Sequence, residues 1–430
     1  MKNKFKPTKL EISWILYDVG NSAFTLLVST LLPINFNALA TSAGVDEDLY
    51  LSYWGYAGSI ATILVAFIGP ICGTLSDRKG YKKPLFLVSV ILGVIGCAAL
   101  GLTQNWLVFL GIFIIGKVGF HSSLVFYDSM LPEITTEERI DNISPHGYAW
   151  GYFGSVLPFV LCLVLVLDGG SFGLDMTTAM IISFIITGAW WILFTLPLMR
   201  RYQQNAYVER GAHPIADTFR QIGNTFRKAK EQKHIFVYLI AFFFFINGVY
   251  TIIDMATAYG TALGLDSTGL LLALLLTQIV AFPCAILFGK LSANHDSANL
   301  MKICIICYTC ITLFGVFLVS QWQFWLLAVM VGMFQGAIQA LSRSYLGKIV
   351  PSEQSGEFYG LMDICGKGAS FFGMALVGLI NQLTADLEIV VFGLRLQNAN
   401  IAVSTLIILF IIGYILICKA DKLNKARKAD

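Results

Sequence analysis

Apolar residues in this chain gather in runs of about 20 positions separated by short polar punctuation, the length an α-helix needs to cross a hydrocarbon core of roughly 30 Å. Twelve such runs can be counted. Six start near Trp14, Leu51, Pro84, Trp106, Ser144 and Thr177, and six near His234, Thr268, Asn299, Trp322, Phe358 and Asn400. One long hydrophilic stretch, residues 200–233, lies between the two sets. The pattern predicts an all-α integral membrane protein of twelve transmembrane helices in two six-helix bundles. The amino-terminal bundle covers residues 1–199, a cytoplasmic linker 200–233, and the carboxyl-terminal bundle 234–430. The stretch Gly332 to Tyr345 shows the pattern at its sharpest, opening apolar and closing on a Gln, Ser and Arg cluster where a spanning helix would reach water.

Composition agrees. Hydrophobic residues make up 57% of the chain, charged residues 13%, and the mean hydropathy is +0.72, which excludes a soluble globular protein of 430 residues. A cleaved signal peptide is the alternative at the amino terminus, where a basic start precedes an apolar run and Ala38-Leu-Ala40. The run is too long for a signal core and contains Asp18 and Asn21, so a first span is the better reading. The nine cysteines fall within the spans or at their ends and suggest no disulfide framework. Cys304, Cys307 and Cys310 recur on an apolar helix without a His or an acid beside them and read as small packing residues.

Charge sets the expected orientation, because Lys and Arg are retained in short cytoplasmic loops. Bases cluster at Lys2, Lys4, Lys6 and Lys9, at Arg78, Lys79, Lys82 and Lys83, and in the tail at Lys419, Lys422, Lys425, Arg427 and Lys428. The opposite loops, around Asp46-Glu-Asp48 and from Asp168 to Asp175, hold acids and no bases, leaving Arg395 as the cation placed outside. Both termini are therefore expected in the cytoplasm. The segment 200–233 carries eight bases against Glu209, Asp217 and Glu231. Phe219, Ile222 and Phe226 share one helical face there, so it reads either as a helix on an anionic leaflet or as a solvated tether.

An internal repeat supports duplicated bundles. A shift of 219 carries Pro132 to Pro351, Gly147 to Gly366, Phe153 to Phe372 and Gly154 to Gly373. The pairs Gly147/Gly151, Gly332/Gly336 and Gly356/Gly360 allow helices to approach closely.

Between the second and third spans the chain reads Gly73-Thr-Leu-Ser-Asp77-Arg78-Lys79-Gly80-Tyr-Lys82-Lys83. Its glycines permit close approach and a tight turn, Asp77 suits a helix amino terminus, and the cations can pair with acids at neighbouring helix ends. This segment resembles, position for position, the cytoplasmic signature of the major facilitator superfamily. In the second half Gly289-Lys-Leu-Ser292 keeps the start of the pattern and Asn294-His-Asp296 departs from it. Within the superfamily, the chain resembles the vacuole-effluxer family. The resemblance is carried by Trp14-Ile-Leu-Tyr17-Asp18-Val-Gly-Asn21-Ser22-Ala23-Phe24, and by Gly336-Ala-Ile-Gln339-Ala340-Leu341-Ser342-Arg343-Ser344-Tyr345 with Pro351, Glu357-Phe358-Tyr359-Gly360 and Lys367. It implies the twelve-helix fold and outward movement of a neutral amino acid or similar carboxylated metabolite, coupled to protons, in a bacterial cytoplasmic membrane. Where the family carries an Asp before the glycine of the seventh span, this chain has Asn247-Gly248, so no proton-coupling role is carried over to that site.

Polar groups at membrane depth are costly and mark candidate sites. Lys117 lies deep in the fourth span with His121 one turn on along the same face, suited to a substrate carboxylate; a structural ion pair with Asp18 or Asp254 is the alternative. Asn21, Asn247, Tyr250, Gln335 and Gln339 are the other expected substrate contacts. Asp18 and Asp254 are the proton-coupling candidates. Asp77, Arg78, Arg343 and Glu357 are assigned to an inner gate, Arg343 with an acid such as Glu357, while Asp363 and Lys367 are spaced to neutralise each other.

Gly111 to Val118 imitates a phosphate loop but ends in Val where Ser or Thr is required and lies in an apolar helix. No zinc or nucleophile motif appears, so no enzymatic activity, catalytic residue, cofactor or metal is expected. The expected partners are a small-molecule substrate, protons and the lipid bilayer, with no nucleic acid, and the chain is expected to be a monomer. An exporter of amphipathic drugs or lipids would share the fold and tolerate Lys117→Ala; a non-transporting membrane sensor is the other rival.

Overall fold

Helix ends follow local chemistry. The first helix, α1 (Lys9–Ser29), opens on a capping box: Thr8 Oγ1 accepts from the Glu11 amide at 3.2 Å and Glu11 Oε2 accepts from the Thr8 amide at 2.6 Å. The run expected as one first span breaks at Thr30, and α2 (Leu31–Ser42) continues it. Pro33 accounts for the break, since it has no N–H for the Ser29 carbonyl and its ring crowds that oxygen. The computed structural model describes residues 6–45, 47–209, 214–227, 231–292, 294–384, 389–391, 394–396 and 398–429.

Along the first half follow α3 (Glu47–Ser76), α4 (Lys82–Ala99), α5 (Trp106–Ile134), α6 (Glu137–Asp168) and α7 (Met176–Arg201). Then α8 (Pro214–Arg227) lies in the connecting segment. The second half holds α9 (Lys233–Ala262), α10 (Ser267–Ser292), α11 (Ser297–Val316), α12 (Gln321–Ile349), α13 (Ser355–Leu383), α14 (Asn398–Ser404) and α15 (Leu406–Ala429). Asn105 caps α5, Asp296 caps α11, and a Ser320/Gln323 capping box starts α12. Among the described residues, eleven helical spans are long and apolar enough to cross a membrane. The twelfth, α13, is 29 residues long but carries Glu357, Asp363 and Lys367 in its first half, and its apolar stretch is the shorter Phe372–Leu383. The fifth span begins at Glu137 rather than at Ser144, because two polar turns precede the apolar run. Beyond α13 the chain makes a two-stranded antiparallel ribbon, β1 (Ile389–Val391) with β2 (Leu394–Leu396), which the expected all-helical pattern lacked.

The chain resolves into two compact units. The first comprises residues 1–136, 150–219 and 351–360, and the second 137–149, 220–350 and 361–430. This departs from a simple cut at residues 200–233. The start of α6 groups with the second unit and the start of α13 with the first, because both are polar turns whose partners lie there. Helix pairing repeats between the units. In the first, α1 packs on α7, and α5 on α3 and α4; in the second, α9 packs on α15, and α12 on α10 and α11. Each pairing occupies the same place in its half, as the repeat of Gly154 at Gly373 predicts: Gly154 meets Val19 of α1, and Gly373 meets Asn247 and Thr251 of α9.

Candidate functional site

In the first unit, the polar residues of α1 and α5 meet under a lid of aromatic rings. Asp18 is buried, and its carboxylate accepts from the Tyr127 hydroxyl at 2.8 Å and from Asn21 Nδ2 at 3.4 Å. Trp14 stacks on Tyr127 with centroids 4.3 Å apart and donates from Nε1 to the Tyr127 carbonyl at 2.9 Å. Tyr17, tilted against Tyr127, donates its hydroxyl to Ser123 Oγ at 2.6 Å. Trp14 and Tyr17, one turn apart on α1, and Tyr127 on α5 pack against one another beside the carboxylate. Asp18 and Asn21 are legible together in the sequence, whereas Tyr127 is not. A phenol near the polar end of a span carries no signal by itself; its bond to Asp18, 109 residues away in the chain, shows only in three dimensions.

Lys117 and His121 are both half-buried on α5. The Lys117 ammonium lies 5.7 Å from the Phe113 ring centroid and 3.7 Å from where a Cβ on Gly58 would stand. Its depth is less symmetric than the sequence suggests: 11 residues from Trp106 but 17 from Ile134, because α5 runs on through Pro132. The same unbroken helix takes in residues 111–118, so the phosphate-loop imitation has its amides committed to the helix.

The second unit holds the remaining candidates. Asn247 is fully buried on α9, accepts from the Thr251 hydroxyl at 3.3 Å, and leaves its Nδ2 without a partner among the described residues. Tyr250 is half-buried and Asp254 exposed on the same helix. On α12, Gln335 is buried, and its carbonyl accepts from Nε2 of the half-buried Gln339 at 3.1 Å. Lys367, expected to neutralise Asp363, has its side chain outside the described residues.

The signature loop is built as a latch inside the first unit. Asp77 is fully buried and its two carboxylate oxygens accept from the amides of Gly356 and Glu357 at 2.7 and 2.9 Å, so it caps α13. Lys82 Nζ lies 3.7 Å from Asp77 Oδ1 and 2.7 Å from Glu133 Oε1, and donates to Ser355 Oγ at 2.9 Å. Burial outweighs Lys82 and the two amides and raises the Asp77 carboxyl to about 7. Behind the latch, α3 and α13 touch backbone to backbone: a Cβ on Gly73 would overlap the Gly356 carbonyl, and one on Gly356 the Gly73 carbonyl. Gly80 turns the loop with φ of 76°.

A strap that the sequence does not announce holds this loop from outside. Residues 202–209, just after α7, form a parallel bridge in which the Val208 amide donates to the Asp77 carbonyl at 2.8 Å and the Lys79 amide to the Val208 carbonyl at 3.1 Å. Gln204 Nε2 donates to Ser76 O at 3.0 Å, and its Oε1 accepts from the Gly80 amide at 2.9 Å. Glu133 gathers the strap, accepting from the Tyr202 hydroxyl at 3.0 Å and the Asn205 amide at 3.0 Å. Arg78, buried beside this bridge, belongs to the latch through its backbone.

The second unit has a counterpart with its charges moved. Lys348 Nζ lies 2.6 Å from Asp141 Oδ2, and Ser292 Oγ donates to the Asp141 carbonyl at 2.8 Å. Arg343 is buried there, donating from Nε to Ser144 Oγ at 2.9 Å and from Nη2 to Ser144 O at 2.8 Å, with its guanidinium 4.4 Å from the Tyr148 ring centroid.

Comparison with known proteins places this architecture. The family described as vacuole effluxer Atg22 like matches residues 7–430. The MFS-type transporter YxiO of Bacillus subtilis is 36% identical over 415 residues, covering 95% of this chain and 94% of that one. Autophagy-related protein 22-1 of Aspergillus niger is 24% identical over 270 residues, 57% of this chain and 43% of that protein, so the match spans less than half of the fungal relative. Among solved structures, the human organic anion transporter MFSD10 (TETRAN) superposes with a TM-score of 0.69 at 15% identity over 96% of this chain and all of that one. The transporter FucP matches with the same score and identity, over 96% and 97%. At that identity the likeness is one of fold, twelve helices in two bundles. With a family match over nearly its whole length and a bacterial relative 36% identical over 95% of this chain, the chain belongs to the vacuole effluxer Atg22-like family and is a membrane transporter of the major facilitator type.

Proposed function

We propose that this transporter moves a small carboxylated metabolite, an amino acid fitting best, out of the cytoplasm by proton-coupled alternating access. The observation that carries the reading is Lys117, a cation 11 residues into a spanning helix and half-buried beside Phe113. A charge at that depth is costly unless it has work there, and an ammonium suits a substrate carboxylate. In the first unit His121 and Asn21 are the candidate polar contacts beside it, and Asn247, Tyr250, Gln335 and Gln339 are the second unit's own candidates. Asp18, bonded by Tyr127 and Asn21, is the better-sheltered proton carrier, and Asp254 the more exposed one. Asp77, Arg78, Glu357 and Arg343 serve the gate at the basic ends of the helices. The distribution of Lys and Arg supports cytoplasmic termini, in a bacterial cytoplasmic membrane. The chain acts as a monomer and does no covalent chemistry on its substrate.

The test is efflux from proteoliposomes loaded with a mixed amino-acid pool, with and without an imposed proton gradient, for the wild type and Lys117→Met. Gradient-dependent loss of particular amino acids, absent in the variant, is the expected result. Unchanged affinity and flux in Lys117→Met would overturn the site, and no specific loss at all would turn the substrate toward amphipathic compounds.

A further inference from the structure

The tail of the chain carries five bases, Lys419, Lys422, Lys425, Arg427 and Lys428, and α15 sorts them. Lys425 Nζ is held 3.1 Å from Asp296 Oδ2 and 3.0 Å from Asp421 Oδ2, and Arg427 Nη2 donates to Asn424 Oδ1 at 3.5 Å. Lys419 and Lys422 are exposed, and no acid among the described residues pairs with either. Both line one end of a shallow, open groove along α15, with Tyr414, Ile415 and Cys418 along the rest of it.

The order of these residues defines a ligand. Positions 414, 418 and 422 fall every fourth residue on one helical row, and 415 and 419 on the next, so the groove is apolar for its first turn and basic at its end. From Tyr414 to Lys422 the helix rises roughly 12 Å. Such a surface matches a molecule with an anionic head and an aliphatic body. We propose that this groove binds an anionic phospholipid, its phosphate between Lys419 and Lys422 and the upper part of an acyl chain along Tyr414, Ile415 and Cys418. Inorganic phosphate has no use for the apolar wall. A zwitterionic lipid would bring its own cation toward the two ammonium groups. The placement also agrees with the general attraction of juxtamembrane bases for the anionic leaflet.

Native mass spectrometry of the full-length protein in neutral detergent tests this. It would be titrated with phosphatidylglycerol or phosphatidylcholine of matched chains. The wild type is expected to favour phosphatidylglycerol by roughly thirty-fold, two basic contacts' worth. Lys419→Gln/Lys422→Gln should bring the ratio close to one, whereas removing two exposed bases elsewhere, Lys9→Gln/Lys290→Gln, should leave it unchanged. Equal binding of both lipids by the wild type would overturn the proposal, as would an equal loss in the two double variants, the mark of a diffuse basic surface. A dimer that disappears in Lys419→Gln/Lys422→Gln would seat a second copy in the groove and overturn it too. All the substituted side chains are exposed, so the variants are expected to fold, and a monodisperse monomer on the same spectra checks that they do.

Discussion

Lys82 Nζ and Glu133 Oε1 stand 2.7 Å apart with both side chains essentially out of solvent contact. Removing either partner strands a buried charge, which typically costs about 3–5 kcal/mol. Lys82→Met should therefore lower the thermal stability of the detergent-solubilised protein severely, and Glu133→Gln in the same background should restore part of it. A double-mutant cycle reads the coupling. Additive losses would mean that Glu133 is held by Tyr202 and the amides of Asn205 and Ala206 without Lys82.

Gly73 and Gly356 bring α3 and α13 into main-chain contact. Gly73→Ala and Gly356→Ala should each destabilise the protein by about 1–3 kcal/mol, the cost of forcing a packed interface apart. Gly111→Ala is the control, since nothing lies within 4 Å of its added Cβ, and it should be neutral or stabilising by up to about 1 kcal/mol. Thermal unfolding of the three variants side by side checks the contrast.

Asp77 links the latch to pH. Its carboxyl is raised to about 7 by burial, which outweighs Lys82 and the amides of Gly356 and Glu357, while the Glu357 carboxylate pushes the same way as burial. A raised carboxyl binds its proton more tightly in the folded latch than in the open chain. The stability it contributes is therefore present in acid and is lost as pH rises through about 7. Hydrogen exchange of the Gly356 and Glu357 amides should quicken from pH 6 to pH 8 by more than the intrinsic rate, and Asp77→Asn should flatten that excess.

Arg343 makes two hydrogen bonds to one residue, Ser144, and lies over the Tyr148 ring. A lysine keeps the charge but loses the fork and the planar stacking. Arg343→Lys should lose about 2 kcal/mol or more of stability and slow transport, whereas Tyr148→Phe, which keeps a ring, should change little. Equal behaviour of Arg343→Lys and wild type in thermal unfolding and proteoliposome flux would remove Arg343 from the gate.

Long apolar runs announced the spans, so the starts expected at Trp106, Thr177, His234 and Trp322 lie within a residue of the helices found. The signature loop was legible because its glycines and charges are side-chain choices. The strap across it was not, since the Arg78–Val208 bridge is made by main-chain groups that any residue possesses. Glu133 was passed over for a related reason: one acid at the end of a helix looks solvated until Lys82, Tyr202 and the Asn205 amide converge on it. The Thr30 break had a signal in Pro33, but the hydropathy of the surrounding run hid it. At the candidate site, Asp18 could be singled out as a costly charge, whereas its phenolic partner 109 residues away could not.

The bridge at Val208 also sets the working length of the connection between the two halves. Counted by hydrophilicity that leash begins at Arg200, but residues up to 208 are already tied to the loop at Asp77 and Lys79. Residues inserted after Glu209 would leave these main-chain pairings in register. The same insertion between Tyr202 and Val208 would shift the strap out of register with the signature loop.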